Sequence, residues 1–207
     1  MKYKIILASN SPRRRELLAG LDIPFEVKVM EGVNESFPDT LDAYDTAQYI
    51  ASKKAAAYQS LLAKGEDNLL VLTADTVVIA PSEGFSDDRE CKGIVLGKPR
   101  DAEEACDMLR MLSGKTHHVV TGVSLTTRKR QCQFSVVTEV SFKTLEEQEI
   151  NYYVSRYKPF DKAGAYGIQE WIGYVGCVGL KGSYFNVMGL PVQRIYEELR
   201  KMESLEE

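Results

Sequence analysis

A chain of 207 residues with 44% hydrophobic content can bury a large core, and one domain over 1–207 is the expectation. Lys and Arg total 26 against 30 Asp and Glu, a formal charge of -4, which argues against a nucleic-acid binder and leaves only local basic patches suited to small anions. The apolar stretch near the start, Ile5 to Ala8, is too short for a signal or membrane segment, so a soluble cytoplasmic protein is expected.

In chain order, Ile5 to Ala8 predicts a buried strand, and ELLAG predicts a helix closing at Gly20, giving a strand, turn and helix unit. The join reads SNSPRRREL. Pro12 sets φ for the first helical turn, and three arginines follow where a helix dipole favours acids. An anion at the turn, held by Ser9, Ser11, backbone N–H groups and at least one guanidinium, resolves that conflict. The plain alternative is a solvated cluster with Ser11 as an ordinary N-cap. Three consecutive residues cannot share one helical face, so Arg15 is expected to point away from Arg13 and Arg14.

Phe25, Val27 and Val29 alternate as a second strand would, and Glu35 in the loop beyond reads by itself as a surface acid. Leu41 to Lys64 predicts one long amphipathic helix carrying Lys53 and Lys54. LLVLTADTVVIA, Leu69 to Ala80, predicts a central strand buried on both faces, with Asp75 as its anomaly. An aspartate there must meet a cation, a metal or a set of donors; a structural salt bridge to Lys98 is the plain reading. A polar acidic loop over Ser82 to Lys92 leads to a short strand, then a GKP turn that presents Lys98 rigidly, then a helix closed by Gly114.

HHVVTGVSLTT and QCQFSVVTEVSF predict a hairpin, and LEEQEINYYVSRY a helix with its charges in the order the dipole prefers. Lys158 to Pro191, rich in glycine and aromatics, predicts irregular structure with short strands, and VQRIYEELRKMESLEE a closing helix. Cys91, Cys106, Cys132 and Cys177 are isolated, with only His117 and His118 as partners, so disulfide and zinc frameworks are not expected. No GxxxxGK[ST], GxGxxG, GxSxG or HExxH occurs, which argues against ordinary kinases, dehydrogenases, esterases and zinc proteases. What remains, two carboxylates with serines, arginines and lysines, is the inventory that phosphoryl transfer requires.

LASNSPRRRELLAGL, the KKA of the long helix, TADTVV, LGKP, MLSGKTHHVVTGV, DKAGAYGIQ and NVMGLP, in that order, resemble the Maf family of nucleoside triphosphate pyrophosphatases from about Ile5 to Ile195. The resemblance implies a Maf-like (ITPase-like) α/β fold, with a long twisted mixed β-sheet flanked by helices and a central cleft between two lobes. It implies cleavage of a nucleoside triphosphate to monophosphate and pyrophosphate as a nucleotide-pool housecleaning activity, in a homodimer. Carried over, the phosphate-binding positions are Ser9, Ser11, Arg13, Arg14, Lys54 and Lys98. Glu35 and Asp75 are metal-site acids for Mg²⁺ or Mn²⁺, and Asp75 is also the proton acceptor. AGAYGIQ resembles the branch acting on dTTP and UTP, in which Arg13, Thr76 and Gln169 govern base choice.

The Gln169 amide offers a donor and an acceptor, so it can flip to read cytosine, and rejection of cytosine is expected to need donor-only groups such as Arg13. GSYFNVMGLP departs from the family pattern at Ser183 and Phe185, which predicts one carboxylate fewer near the cleft. The Ser82 to Lys92 loop is longer than expected and predicts altered access. Two rival readings are a nucleotide-binding regulator of division and septum formation without essential turnover, and a nucleic-acid module using the RRR and TTRKRQ clusters.

Overall fold

The computed structural model describes residues 2–82 and 93–205. β1 (Lys4–Leu7) leads through α1 (Pro12–Ala19) to β2 (Phe25–Val27); α2 (Thr46–Ala56) and α3 (Gln59–Lys64) then precede the long β3 (Leu69–Ala80). β4 (Ile94–Leu96) and α4 (Ala102–Leu112) come next, followed by the hairpin of β5 (Thr116–Thr126) and β6 (Gln131–Phe142) and by α5 (Glu147–Tyr157). A 3-10 turn at Ala163–Ala165, α6 (Trp171–Gly176), β7 (Cys177–Lys181), α7 (Tyr184–Met188) and α8 (Val192–Ser204) complete it.

The strands form one seven-stranded mixed sheet in the order β2-β1-β3-β5-β6-β7, with β4 also on β3. β1 runs parallel to β2 and to the first part of β3, its register ending at Leu7↔Leu72, while β4 pairs antiparallel with Val78 to Ala80. Between Leu72 and Val78 the β1 side of β3 therefore has no strand neighbour among the described residues. This notch opens at the carboxyl end of β1 and the start of α1, the kind of crevice in which open α/β sheets bind ligands.

One face of the sheet carries two cores. Leu70, Leu72, Val123 and Leu125 pack with Leu17 and Leu18 of α1 and Ile195 and Leu199 of α8. Val78, Val119 and Val140 pack with Leu109 and Leu112 of α4, Ile150 and Tyr153 of α5 and Ile172 of α6. Thr76 and its cross-strand neighbour Thr121 separate them, so the two lobes are the two ends of one set of strands. α2 covers the opposite face. There Thr73 Oγ1 donates to the Ala51 carbonyl at 2.7 Å, and a Cβ on Gly122 would lie 2.3–2.4 Å from the Ala47 and Gln48 backbone. The helix thus rests directly on β5 at the residue paired with Asp75, a close approach that only glycine permits.

Most elements follow the sequence pattern, β3 to the residue. The expected single helix over Leu41 to Lys64 is instead a turn followed by two helices. Tyr58, 2% exposed, interrupts it: its hydroxyl donates to the Lys28 carbonyl at 2.8 Å and accepts from the Met30 N–H at 3.0 Å. Satisfying those loop groups holds Tyr58 out of helical geometry and redirects α3 so that Leu62 joins Ile6 and Val71. The stretch expected to be irregular holds β7 and also two helices, α6 and α7. The acidic loop, at 83–92, lies outside the described residues, as does Cys91; Cys106, Cys132 and Cys177 are free thiols.

Candidate active site

The turn after β1 is built by its own serines. Ser11 is the N-cap of α1, its Oγ accepting from the Arg14 N–H at 3.4 Å, and Ser9 Oγ accepts from the Ser11 N–H at 3.2 Å. Both hydroxyls act as acceptors here, which leaves their O–H groups to donate, so capping and anion binding are compatible roles. Arg15 is exposed and turned from the cleft, as the helical spacing requires.

Arg14 fills the notch. Its Nη1 donates to the Ala74 carbonyl at 2.8 Å, its Nε to the Gly189 carbonyl at 2.8 Å and its Nη2 to Thr76 Oγ1 at 3.1 Å. Thr76 Oγ1 and Thr121 Oγ1 share a hydrogen bond at 2.9 Å, and Thr121 donates to the Asn186 carbonyl at 3.0 Å. Asn186 Nδ2 in turn donates to the Val119 carbonyl and Thr138 Oγ1, both at 3.1 Å. NVMGLP is thereby explained: Asn186 pins α7 to the sheet, and Gly189, at φ +113°, aims its carbonyl at Arg14. Burial pushes the Arg14 guanidinium below its ordinary value; Asp75 opposes this most, Arg13 adds to it and Glu35 opposes it.

Because no strand covers β3 at the notch, Asp75 and Thr76 open into one cavity although they point to opposite faces of the sheet. Lys54, on α2, places Nζ 2.7 Å from Asp75 Oδ1 and 3.0 Å from Glu35 Oε1. The side chains of Lys54 and Asp75 are 15% and 13% exposed, and that of Glu35, on the rim, 51%. The cation partner of Asp75 is thus Lys54. Lys98, expected in the salt-bridge reading, is exposed at the cleft wall, its turn held by the Gly164 N–H donating to the Gly97 carbonyl at 3.0 Å.

Two adjoining cavities of about 110 and 340 Å³ gather the phosphate, metal and base positions that the family resemblance implied. Asp75, Thr76 and Gln169 line the first; Ser9 and Glu35 the second; Ser11, Arg13, Arg14, Lys54 and Lys98 line both. The Gln169 side-chain oxygen is buried without a hydrogen-bond partner. Ser183 lines neither cavity. It caps α7, its Oγ accepting from the Asn186 N–H at 3.2 Å, so serine serves here as a helix cap. Phe185 is exposed.

The sequence reading missed a second ionic chain. Arg13 Nη1 donates to Asp161 Oδ2 at 2.7 Å, and Lys162 Nζ reaches Asp161 Oδ1 at 2.8 Å and Glu170 Oε1 at 3.0 Å. Tyr153 donates to Glu170 Oε2 and accepts from the Gly167 N–H at 3.0 Å. The DK and QE flanking AGAYGI were the available signal, but their link to Arg13 spans 148 positions and no local spacing shows it.

Burial raises the Asp161 carboxyl, and the hydrogen bonds from Lys162 and Arg13 outweigh it, holding the pKa at about 2. A carboxyl depressed by folding contributes stability that is complete above its unfolded value of about 3.9 and is lost as pH falls toward about 2. Carbon-detected NMR is expected to place Asp161 at about 2 in the parent protein and nearer its ordinary value in Arg13→Gln. Ordinary titration of Asp161 in the parent would refute the pairing.

Clustered cations around paired carboxylates, at the open end of a parallel strand pair, define an α/β protein with a site for a small polyanion. The family model described as Maf-like protein matches residues 4–202, and the chain belongs to that family. It is 56% identical over 201 residues to the dTTP/UTP pyrophosphatase of Phocaeicola vulgatus and 52% identical over 201 residues to that of Bacteroides fragilis, covering 97% of both chains in each case. The dTTP/UTP pyrophosphatase of Flavobacterium psychrophilum is 44% identical over 193 residues, covering 93% of this chain and 91% of the relative.

Proposed function

We infer that the protein is a nucleoside triphosphate pyrophosphatase that hydrolyses dTTP and UTP to the monophosphate and pyrophosphate. The names of its relatives support the substrate, and the observation that carries the chemistry is the convergence of Arg13, Arg14, Lys54 and Lys98 on one cleft with Asp75 and Glu35. Water attacks the α-phosphorus, the bond to the β-phosphate breaks, and Asp75 accepts the proton of that water. Lys54 fixes the orientation of the Asp75 carboxylate. Arg13, Lys98 and the hydroxyls of Ser9 and Ser11 take the charge of the triphosphate and the departing pyrophosphate. Arg14, with three nitrogens committed to the frame, offers its two remaining N–H groups.

Asp75 and Glu35 suit a divalent cation, since both already approach one charged atom, Lys54 Nζ. Among the described residues no group of three or more His, Cys, Asp and Glu could hold a metal ion, and one or two carboxylates completed by substrate phosphates is the usual Mg²⁺ arrangement. Bound there, Mg²⁺ or Mn²⁺ would supply charge neutralisation and a more acidic water.

We further infer that the whole chain acts as one domain, in a cytoplasmic homodimer. No helix among the described residues is long and apolar enough to cross a membrane. Exposed Tyr174, Val178, Leu180, Tyr184 and Phe185 near edge strand β7 offer apolar surface to a second copy. Pairing of Arg13 with Asp161, and of Arg128 and Lys129 with Asp67, favours a small ligand over a nucleic acid.

The deciding experiment is pyrophosphate release from the common ribo- and deoxyribonucleoside triphosphates. UTP and dTTP are expected to be the fastest. Tight binding of UTP with no pyrophosphate released would overturn the reading in favour of a binding regulator. Sedimentation of the same sample reads the dimer.

A further inference from the structure

We propose that Lys162 is a specificity-determining residue, the donor-only group that makes reading of the base one-way. This rests on the reading of the chain as acting on uracil and thymine nucleotides. Lys162 and Gln169 line the same cavity of about 110 Å³. Gln169 presents a buried oxygen with no partner, which awaits an N–H donor. Lys162 is 8% exposed, and of the three N–H groups of its ammonium one is given to Asp161, while Glu170 is an ion-pair partner at 3.0 Å. No other acceptor meets the ammonium among the described residues.

An orphaned acceptor and a spare donor lining one cavity are the complement of a ring N–H next to a ring carbonyl, the edge that uracil and thymine present. Cytosine presents an acceptor and an amino group instead. A glutamine accommodates that reversal by flipping its amide, whereas an ammonium has no acceptor to offer.

The neighbouring carboxylates are weakened as acceptors for cytosine, because each of their four oxygens already faces a donor. Asp161 uses one on Lys162 and one on Arg13, and Glu170 uses one on Lys162 and one on Tyr153. Burial, then the hydrogen bond to Glu170, push the Tyr153 phenol well above its ordinary value, so it stays a donor at any working pH. Gly167 completes the setting: a Cβ there would lie 3.0–3.1 Å from Glu170 and from the Lys162 stem, so a bare backbone lets both side chains reach position. Arg13, expected from the sequence to be the donor-only discriminator, has its Nη1 held by Asp161, and Lys162 lies on the other side of that same carboxylate.

The test compares Lys162→Gln and Lys162→Arg with the parent protein. Dissociation constants for UTP and CTP are measured by calorimetry in EDTA, and kcat/KM for both is measured with Mg²⁺. The parent is expected to favour UTP in binding by about tenfold or more. Lys162→Gln, which can flip, is expected to bring that binding ratio within about threefold, mainly by improving CTP relative to UTP, and Lys162→Arg to keep it. A ratio is read within one preparation, so a partly unfolded variant still reports. An unchanged binding ratio in Lys162→Gln, or equal weakening of UTP and CTP in both variants, would overturn the assignment. A base-selective binding ratio that responds as expected, with no pyrophosphate released by the parent, would instead overturn the activity and leave Lys162 as the discriminator.

Discussion

Asp75→Asn is expected to lower kcat for pyrophosphate release by about 10²–10⁴-fold while leaving the dissociation constant for UTP within a few fold. The asparagine keeps the shape of the side chain at the notch and a carbonyl oxygen for Lys54 Nζ, now 2.7 Å from Asp75 Oδ1, but cannot accept a proton from water. Steady-state kinetics and calorimetry on one sample separate the two effects. A variant that retains a tenth or more of the parent kcat would remove Asp75 from the chemistry. It would leave the carboxylate as the structural partner of Lys54, the plain reading of a buried acid.

Arg14→Met is expected to act mainly on the fold, and this contrast distinguishes two charged residues of the cleft. Removal of the guanidinium strands the Ala74 and Gly189 carbonyls and breaks the link to Thr76. Buried acceptors left without donors cost about 1–3 kcal/mol each, so a loss of about 3 kcal/mol or more is expected. At about 2–4 °C per kcal/mol for a chain of this size, the melting temperature falls by on the order of 10 °C. Scanning calorimetry reads this directly. A shift of under about 2 °C would show that the contacts closing the notch carry little energy.

Elements with strong local chemistry were legible in the sequence. Pro12 and Ser11 marked the start of α1, and the uninterrupted apolar run of β3 fixed its span with Asp75 as the exception. The two long β runs gave the hairpin. α6 and α7 were not legible, because helices of six and five residues are too short to display a period of 3.6. The break at Tyr58 was hidden because its cause is the Lys28 and Met30 backbone, some 30 residues earlier. The site residues were legible as a set through the ordered motifs, but their pairing was not. Asp75 could have met any lysine from the sequence; α2, resting on the sheet, gives it Lys54. The pairing of Asp161, Lys162 and Glu170 stayed hidden for the same reason, since it arises from contact with Arg13 and Tyr153 and from a cavity shared with Gln169.

Direct seating of α2 upon Gly122 bears on how mutational maps of this protein should be interpreted. Even a methyl group at position 122 must lift the helix by a sizeable fraction of an ångström, and Lys54 travels with it, away from Asp75. A screen scored only for turnover would then rank a buried glycine that lines neither cavity alongside Asp75 itself. Intolerance at such a position records the tolerance of a machine part, the spacing between two slabs of backbone, and carries no information about contact with substrate.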